Sequence, residues 1–440
     1  MIRLLISMIA AVLSGAMITS SAFAQVANCA VPPGANTTNP AAPFYIDLTG
    51  LDLTTCPPTR DPHNPKYPNA TELPDGQLPP VTANGNFIVG PTHAPAPDTI
   101  AQTGVPKGKI YMFTMKSSDS RIYHTALVRP EASFDAAVYT ASSFPGDPSN
   151  LIVTASQAGT WSRTVSVYVP DQIKGKERVP LMVLGDGDIM ASQVFSTLDN
   201  LIYQRRLPPM VAIAIQAGGQ DAQGSQRGFE YDTVSGTYAE WVENEVLPLA
   251  QSIARVKLSR NPDARATIGL SSSGAAALSM AWFQPDLYHR VAAWSGTFVN
   301  QQWPHNPALP GGAWEFHSPY AGLIGPLLNT SGFALPTPST QPPGSPLIVT
   351  SPKQPIRMWL EVGDRDLFYP VIGMPDGMHD WVLANENLIR VLATKGYAYQ
   401  FVFARNAGHF DFATFRQTLP HALEYVWADF VARGDEQDDE

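Results

Sequence analysis

The sequence predicts an α/β fold in which a mainly parallel sheet carries helices on both faces. Short apolar runs rich in β-branched residues recur along the chain and are typical of buried strands. Segments with helical spacing of apolar residues separate these runs. Such alternation requires right-handed crossovers, which place the loops after successive strands along one edge of the sheet.

The predicted elements follow one another in a regular order after residue 161. Two earlier strands are expected before that point, and a long excursion interrupts the order near residue 300. The predicted strands are 109–113, 123–128, 165–169, 181–184, 211–215, 266–268, 291–294, 356–362 and 399–403, and the predicted helices are about 191–203, 238–253, 273–282, 381–394 and 414–431.

The α/β domain is predicted to span residues 107–434. Residues 25–106 are rich in Pro, Asn, Thr and Gly without sustained periodicity, which indicates an irregular N-terminal segment laid over the domain or trailing from it. Residues 300–355 are Pro-, Gly- and Ser-rich with scattered aromatics, so they form a long insertion before the strand at 356–362. This insertion is either a lid or binding loop, or decoration of the rim. Residues 435–440 form an acidic, solvated tail.

Composition describes a loop-rich globular protein. The 440 residues include 41 prolines, 44% are hydrophobic and only 15% are charged. That apolar content is sufficient for a large core. The formal net charge of −10 argues against nucleic acid or an anionic membrane surface as a partner.

The first 24 residues have the pattern of an export signal. Arg3 precedes an apolar run over 4–16, and Ala22-Phe23-Ala24 supplies the small residues that a signal peptidase requires. The run is short for a membrane anchor, which needs about 20 apolar residues. We therefore expect cleavage after Ala24, a periplasmic or secreted location and no membrane span in the mature protein.

The two cysteines, Cys29 and Cys56, both lie near the mature N-terminus. In an oxidising compartment such a pair usually forms a disulfide. A metal site is a poor alternative, because two cysteines without a nearby histidine cluster do not complete a tetrahedral shell.

Ser271 is the candidate nucleophile. It lies in Gly-Leu-Ser-Ser-Ser-Gly (269–274), between the strand at 266–268 and the helix at 273–282. A serine on a sharp strand-to-helix turn flanked by small residues is a nucleophile elbow, the hallmark of the α/β-hydrolase fold. Ser273 stands where the usual G-x-S-x-G pattern has its second glycine.

The partners of such a serine are expected in the order acid, then histidine. Among the histidines after Ser271, His409 follows the strand at 399–403 through the short loop 404–408, whereas His421 on the final helix is interpreted as a surface or core residue. The strand at 356–362 leads to Asp364 and Asp366. Asp366 is the first choice for the acid that orients the imidazole, and Asp364 is the alternative. The remaining histidines of this region are 289, 305, 317 and 379.

An oxyanion site needs a second backbone donor. Leu184-Gly185-Asp186-Gly187-Asp188 follows the strand at 181–184, and the N–H of Gly187 or Asp188 is expected beside that of Ser272. The carboxylates here would also suit a metal, but no histidine lies near them in the sequence. We expect neither a metal nor a cofactor.

These residues resemble the enterochelin-esterase and feruloyl-esterase branch of the α/β hydrolases, the "Putative esterase" family. The resemblance covers about 108–430 and is strongest from residue 165. It implies Ser271 as nucleophile, His409 as base, Asp366 as acid and Gly187 as oxyanion amide. The motifs that carry it are Val-Tyr-Val-Pro (167–170), Met-Val-Leu-Gly-Asp-Gly (182–187), Arg-Gly-Phe-Glu-Tyr-Asp (227–232), Glu-Val-Leu-Pro (245–248), Gly-Leu-Ser-Ser-Ser-Gly (269–274) and Asn-Ala-Gly-His (406–409).

The chain departs from this family at Ser273, at the insertion 300–355 and before residue 108, where no β-sandwich domain of the enterochelin-esterase kind is recognisable. That departure argues against a catecholate siderophore substrate and leaves the ester class. The resemblance implies a serine carboxylic-ester hydrolase that acts through an acyl-enzyme on a small-molecule ester. Aromatics in the insertion suggest an aryl or sugar ester. An acyltransferase and an inactive hydrolase-fold binding protein are the alternatives, and no sequence feature indicates the oligomeric state.

Overall fold

The computed structural model describes residues 69–128, 157–175, 177–219, 225–299, 312–317, 347–367 and 381–430. The export signal, Cys29, Cys56, the acidic tail, most of the insertion at 300–355, and His305 and His379 lie outside the described residues.

The strands fall where the apolar runs predicted them, with several additions. In chain order they are β1 Thr71–Glu72, β2 Gly85–Val89, β3 Lys109–Lys116, β4 Ala126–Val128, β5 Gln157–Gly159, β6 Ser162–Val169, β7 Arg178–Val179, β8 Leu181–Leu184, β9 Val211–Ile215, β10 Lys257–Leu258, β11 Arg265–Leu270, β12 Arg290–Trp294, β13 Arg357–Arg365 and β14 Ala398–Gly408.

The helices follow the strands in the expected alternation. They are α1 Gly187–Tyr203, α2 Gln226–Tyr231, α3 Thr237–Trp241, α4 Leu247–Ala254, α5 Ser271–Phe283, α6 Leu347–Thr350, α7 Trp381–Thr394 and α8 Phe412–Trp427. A π-helical turn, Val242–Val246, joins α3 to α4, so the predicted helix at 238–253 is continuous but not regular. Within the described residues no helix is both long and apolar enough to cross a membrane.

One ten-stranded sheet organises the domain. Its strand order is β1-β2-β14-β13-β12-β11-β8-β9-β6-β3. Neighbours from β1 to β9 run parallel, whereas β6 pairs antiparallel with both β9 and β3. β4 and β5 form a separate two-stranded sheet, so the predicted strand at 123–128 is shorter than expected and does not join the main sheet.

Helices cover both faces of the sheet, as predicted. Leu181 and Val183 of β8 face one apolar core that includes Leu278 of α5. Alternate residues of the same strand face a second core, which includes α1 and α8 side chains. Strands buried on both faces read as continuous apolar runs, and this is why the sequence pattern was informative. The architecture is the α/β-hydrolase fold.

The N-terminal segment is more ordered than its composition predicted. Gly85–Val89 (β2) pairs in parallel with β14 and extends the sheet. The His93 ring then bonds to Gln417 Oε1 at 2.7 Å and to the Arg405 carbonyl at 2.6 Å. A five-residue strand is too short to show a clear period, so sequence pattern alone does not reveal it.

Two ion pairs clamp α2 to the sheet near the edge where the parallel strands end. Arg163 of β6 binds both carboxylate oxygens of Glu230, and neither side chain has exposed surface. Arg227 binds both carboxylate oxygens of Asp186, in the turn after β8, at 3.0 and 2.8 Å. Such buried ion pairs hold their elements together, because breaking a pair leaves an uncompensated charge in the protein interior.

The turn from β11 into α5 is sharp. Ser271 has φ of 51°, in the left-handed region that non-glycine residues seldom occupy. A Cβ at Gly269 would lie 2.1 Å from the Ser273 carbonyl oxygen, so only glycine fits there. The strand therefore enters the helix without an intervening loop.

Ser273 has a defined role in this turn. Its hydroxyl donates to the Leu270 carbonyl at 2.8 Å and accepts from the Leu270 N–H at 2.9 Å. Its Cβ occupies the space beside Gly185, where an added Cβ would approach it to 2.4 Å. The serine is accommodated because Gly185 lacks a side chain.

We expect Ser273→Gly to lower the free energy of unfolding by roughly 1–3 kcal/mol, because the buried Leu270 amide loses its acceptor. Gly185→Ala should be strongly destabilising in the natural chain and much milder in the Ser273→Gly background, where the nearest remaining atom is the residue-273 Cα at 3.5 Å. Urea unfolding of the two single variants and the double variant measures this coupling. Additive effects would contradict the packing described.

Candidate active site

Three side chains from distant parts of the chain form one hydrogen-bonded series at the carboxyl edge of the sheet. Ser271 Oγ lies 2.9 Å from His409 Nε2. His409 Nδ1 lies 2.6 Å from Asp366 Oδ1. These residues follow β11, β14 and β13, and parallel neighbouring strands bring their ends together.

His409 follows β14 directly. Residues 404–408, predicted as a loop, continue the strand, and its pairing with β13 shifts register between Gly363 and Arg365. The Phe410 N–H donates to Ser295 Oγ at 2.7 Å, and this bond anchors the turn after the histidine. The His409 side chain is 23% exposed, so a substrate can approach it.

Asp366, rather than Asp364, contacts the histidine. Asp364 still belongs to β13 and is half-buried. The chain then turns, with the Asp366 N–H donating to the Gly363 carbonyl at 3.2 Å. The Asp366 side chain has no exposed surface, and its Oδ1 also accepts from the Leu367 N–H at 2.7 Å.

Glu361 is an acidic residue near this site that sequence reasoning missed. It lies on β13 and is buried. Burial raises the pKa of its carboxyl well above the usual value, and the negative charge of Asp366 raises this pKa further. The protonated form is thereby favoured, which avoids two buried negative charges side by side. In the sequence, a glutamate inside the apolar run at 356–362 could have pointed to this residue.

Other described histidines have structural surroundings. His421 is buried on α8 and bonds to Gln400 Oε1 at 2.6 Å, as expected for a core residue. His317 is buried and bonds to the Phe298 carbonyl at 2.8 Å. His289 pairs with Asp263 at 2.7 Å, next to the start of β12 and therefore at the opposite edge of the sheet.

Burial lowers the pKa of both His317 and His421 from 6.5 to about 4. Between pH 6.5 and about pH 4, the unfolded chain therefore binds more protons than the folded chain. We expect the free energy of unfolding to be at its full value above pH 6.5 and to fall as pH drops from 6.5 toward about 4.

His421→Gln keeps a donor for Gln400 and removes one titrating group, so it should make this loss of stability shallower. Urea unfolding at pH 7 and pH 5 measures the change, with the exposed His124→Gln as the control for losing a histidine. An unchanged slope in His421→Gln would contradict the assignment.

The predicted oxyanion residues lie on two adjacent turns. Gly187 begins α1 and Ser272 lies in the first turn of α5, and the first N–H groups of a helix have no acceptor within it. The Gly185 N–H donates to the Ile268 carbonyl at 3.1 Å, which joins the two turns. Asp188, the alternative donor, is also in the first turn of α1, with its side chain exposed.

Asp186 shapes the turn before α1. Its φ is 46°, and its carboxylate is held by Arg227. The Arg-Gly-Phe-Glu-Tyr-Asp stretch (227–232) therefore holds the turn after β8 through Arg227 and binds Arg163 through Glu230. Among the described residues no group of three or more His, Cys, Asp or Glu is arranged to hold a metal ion.

Thr297 and Trp381 complete the surroundings of Ser271, and the sequence did not single them out. Thr297 Oγ1 lies 3.3 Å from Ser271 Oγ, and the Trp381 indole Nε1 lies 3.3 Å from the same Thr297 oxygen. The Trp381 ring also meets the His409 ring edge-on, with centroids 5.6 Å apart. Thr297 lies just after β12, at the carboxyl edge of a parallel strand. This position could have indicated from the sequence that it lies near the site.

Comparison with known structures finds esterases of low sequence identity. The enterobactin esterase of Shigella flexneri is 23% identical over 62% of this chain and 57% of its own, with a TM-score of 0.40. The ferric enterobactin esterase of Salmonella typhimurium is 19% identical over 73% and 59%, with a TM-score of 0.42. The ferulic acid esterase of the anaerobic fungus Anaeromyces mucronatus is 12% identical over 76% and 96%, with a TM-score of 0.44.

The chain thus spans less than two thirds of the Shigella and Salmonella proteins. No curated protein matches the sequence. The family model described as "Putative esterase" matches residues 156–426, which is more than half of the 440 residues and contains β6 through most of α8. The chain therefore belongs to the "Putative esterase" family, on an α/β-hydrolase fold.

Proposed function

We propose that this protein is a serine carboxylic-ester hydrolase that acts through an acyl-enzyme. The observation that carries the proposal is the hydrogen-bonded series from Ser271 through His409 to Asp366, with the serine on a strained turn. Membership of the "Putative esterase" family supports the same reaction class. The roles of the individual residues follow from the chemistry of that series.

His409 acts as the general base. Asp366 accepts from Nδ1, which leaves Nε2 unprotonated and facing the Ser271 hydroxyl. As Ser271 Oγ bonds to the ester carbonyl carbon, its proton passes to Nε2. Asp366 stabilises the imidazolium that results, and it does so without taking the proton.

The backbone donors stabilise the second charge of this step. The carbonyl oxygen becomes an oxyanion, and the N–H groups of Ser272 and of Gly187 are the proposed donors. Collapse of the intermediate expels the alcohol, which takes the proton from His409. Water then attacks the acyl-enzyme with His409 again as base, and this releases the acid and regenerates Ser271.

A small-molecule ester is the proposed substrate, and the aryl or sugar ester class rests on fewer residues than the sequence suggested. Of the aromatics in the insertion, Trp314 and Phe316 are buried, and Phe316 packs edge-on against Trp282 of α5 at 5.8 Å. Both belong to the core and do not line an open pocket. Trp303 and Tyr320, outside the described residues, remain the candidates for contact with an aryl or sugar group.

Ser271→Ala should abolish hydrolysis of p-nitrophenyl acetate and covalent labelling by a fluorophosphonate, with the urea midpoint unchanged. Asp366→Asn should reduce kcat roughly 10³- to 10⁴-fold, because the imidazole adopts the wrong tautomer. Asp364→Asn, two residues away, is the matched control and should stay close to the natural rate.

Full activity of Ser271→Ala would refute the proposed nucleophile. Absence of both labelling and turnover in the natural chain would favour the inactive binding protein. Ester formation with an added alcohol in preference to hydrolysis would favour the acyltransferase.

We also propose that the chain is exported with cleavage after Ala24 and that Cys29 pairs with Cys56. Arg3, the apolar run at 4–16 and Ala22-Phe23-Ala24 support export, and an oxidising compartment favours the disulfide. The intact mass of protein recovered from the periplasm or medium should correspond to a chain beginning at Gln25. Its cysteines should react with an alkylating reagent only after reduction, and a full-length mass or freely reactive thiols would overturn the respective proposal.

A further inference from the structure

A second hydroxyl lies against the proposed nucleophile. Thr297 is fully buried, and its Oγ1 is 3.3 Å from Ser271 Oγ. The Thr297 backbone N–H donates to the Ser271 carbonyl at 3.0 Å, so the two residues are held together at a second point. On the far side, Trp381 Nε1 lies 3.3 Å from Thr297 Oγ1.

The chemistry of the donors sets the direction of these bonds. An indole N–H only donates, so Thr297 Oγ1 accepts from Trp381. At the other end, His409 Nδ1 donates to the Asp366 carboxylate, so Nε2 accepts the single proton of the Ser271 hydroxyl. The contact between the two hydroxyls is therefore left with one arrangement, in which the Thr297 O–H donates to Ser271 Oγ.

We propose that the Thr297 hydroxyl is a catalytic hydrogen-bond donor to Ser271 Oγ, and that Trp381 is a positioning residue that orients this hydroxyl. The inference rests on the proposed function, in which Ser271 is the nucleophile. All bonds then point the same way, from Trp381 through Thr297 and Ser271 to His409 and Asp366. Each donor in the series polarises the next.

The donor acts on a charge that exists only during reaction. Ser271 Oγ gains negative charge as its proton moves to His409, and again when it leaves the second tetrahedral intermediate. A hydrogen bond to a charged oxygen is stronger than one to a neutral hydroxyl, so the Thr297 bond stabilises both transition states more than the resting enzyme. Thr297 keeps its own proton throughout. The long resting distance is compatible with this role, since such bonds tighten as charge develops.

Thr297→Val removes the hydroxyl and keeps the side-chain shape. We expect kcat/KM for p-nitrophenyl acetate and the second-order rate constant of fluorophosphonate labelling to fall together, by roughly 10- to 100-fold. Substrate affinity should change little, so kcat carries the loss. Thr297→Ser retains the donor and should recover most of both rates.

A buried pair elsewhere in the chain supplies the matched control. Trp294 Nε1 donates to Thr418 Oγ1 at 3.0 Å, and that hydroxyl donates to the Thr414 carbonyl at 2.8 Å. Thr418→Val orphans an indole N–H just as Thr297→Val does, but it leaves Ser271 untouched. It should cost stability while both rates stay at the natural level.

Trp381→Phe tests the same series from its other end and does not depend on Thr297→Val folding. Without the indole N–H the Thr297 hydroxyl is free to turn away, so both rates should fall, by less than in Thr297→Val.

Natural rates in Thr297→Val, or equal losses in Thr297→Ser and Thr297→Val, would overturn the proposal. So would natural rates in Trp381→Phe if Thr297→Val does not fold. These outcomes are distinct from failure of the proposed function, which would appear as activity retained in Ser271→Ala.

Discussion

The sharp turn between β11 and α5 constrains the rest of the site. Ser271 holds a left-handed backbone conformation at the point where β11 passes into α5 without an intervening loop. Gly269 permits the approach of the helix, and Gly185 on the neighbouring turn leaves space for the Ser273 side chain. Hydrogen bonds from the Ser273 hydroxyl to both polar groups of Leu270 then close the turn. A strained residue persists only where its surroundings over-determine it, and here packing and hydrogen bonding act together.

The acidic side chains near this turn also constrain the site. Asp366 is buried with its histidine partner, and Glu361 beside it is held toward the neutral form. Asp186 is neutralised by Arg227, so its carboxylate does not place an uncompensated negative charge in the turn that follows β8. In the proposed mechanism, Asp366 supplies the negative charge next to His409, and the amides of Gly187 and Ser272 supply the donors for the oxyanion. This is the distribution that an oxyanion-forming reaction requires.

The N-terminal segment supports the strand that carries the histidine. β2 pairs along β14, and His93 then bonds to the Arg405 carbonyl only four residues before His409. Asn406 Nδ2 donates to the Pro91 carbonyl at 3.4 Å in the same region. A segment whose composition indicates irregular chain thus covers a sheet edge and fixes the approach to His409. It also covers the edge of β14, which would otherwise be free to pair with another chain.

The sequence alone determined the alternation of strands and helices, the position of the elbow at Ser271 and the order in which His409 and the acidic candidates follow it. These features are local, because strand and helix periods and turn residues are properties of short segments. Only the tertiary structure decided which aspartate contacts His409. Asp364 and Asp366 are two residues apart, and a single turn at the end of β13 separates them.

Tertiary contact also decided the surroundings of the nucleophile. Thr297 lies 26 residues from Ser271, and Trp381 lies 84 residues from Thr297. No local pattern records that these side chains meet. β2 joins β14 across more than 300 residues, and the space that admits Ser273 depends on a glycine in another strand's turn. Such contacts depend on how the strands are ordered in the sheet, and that order is a property of the folded chain as a whole.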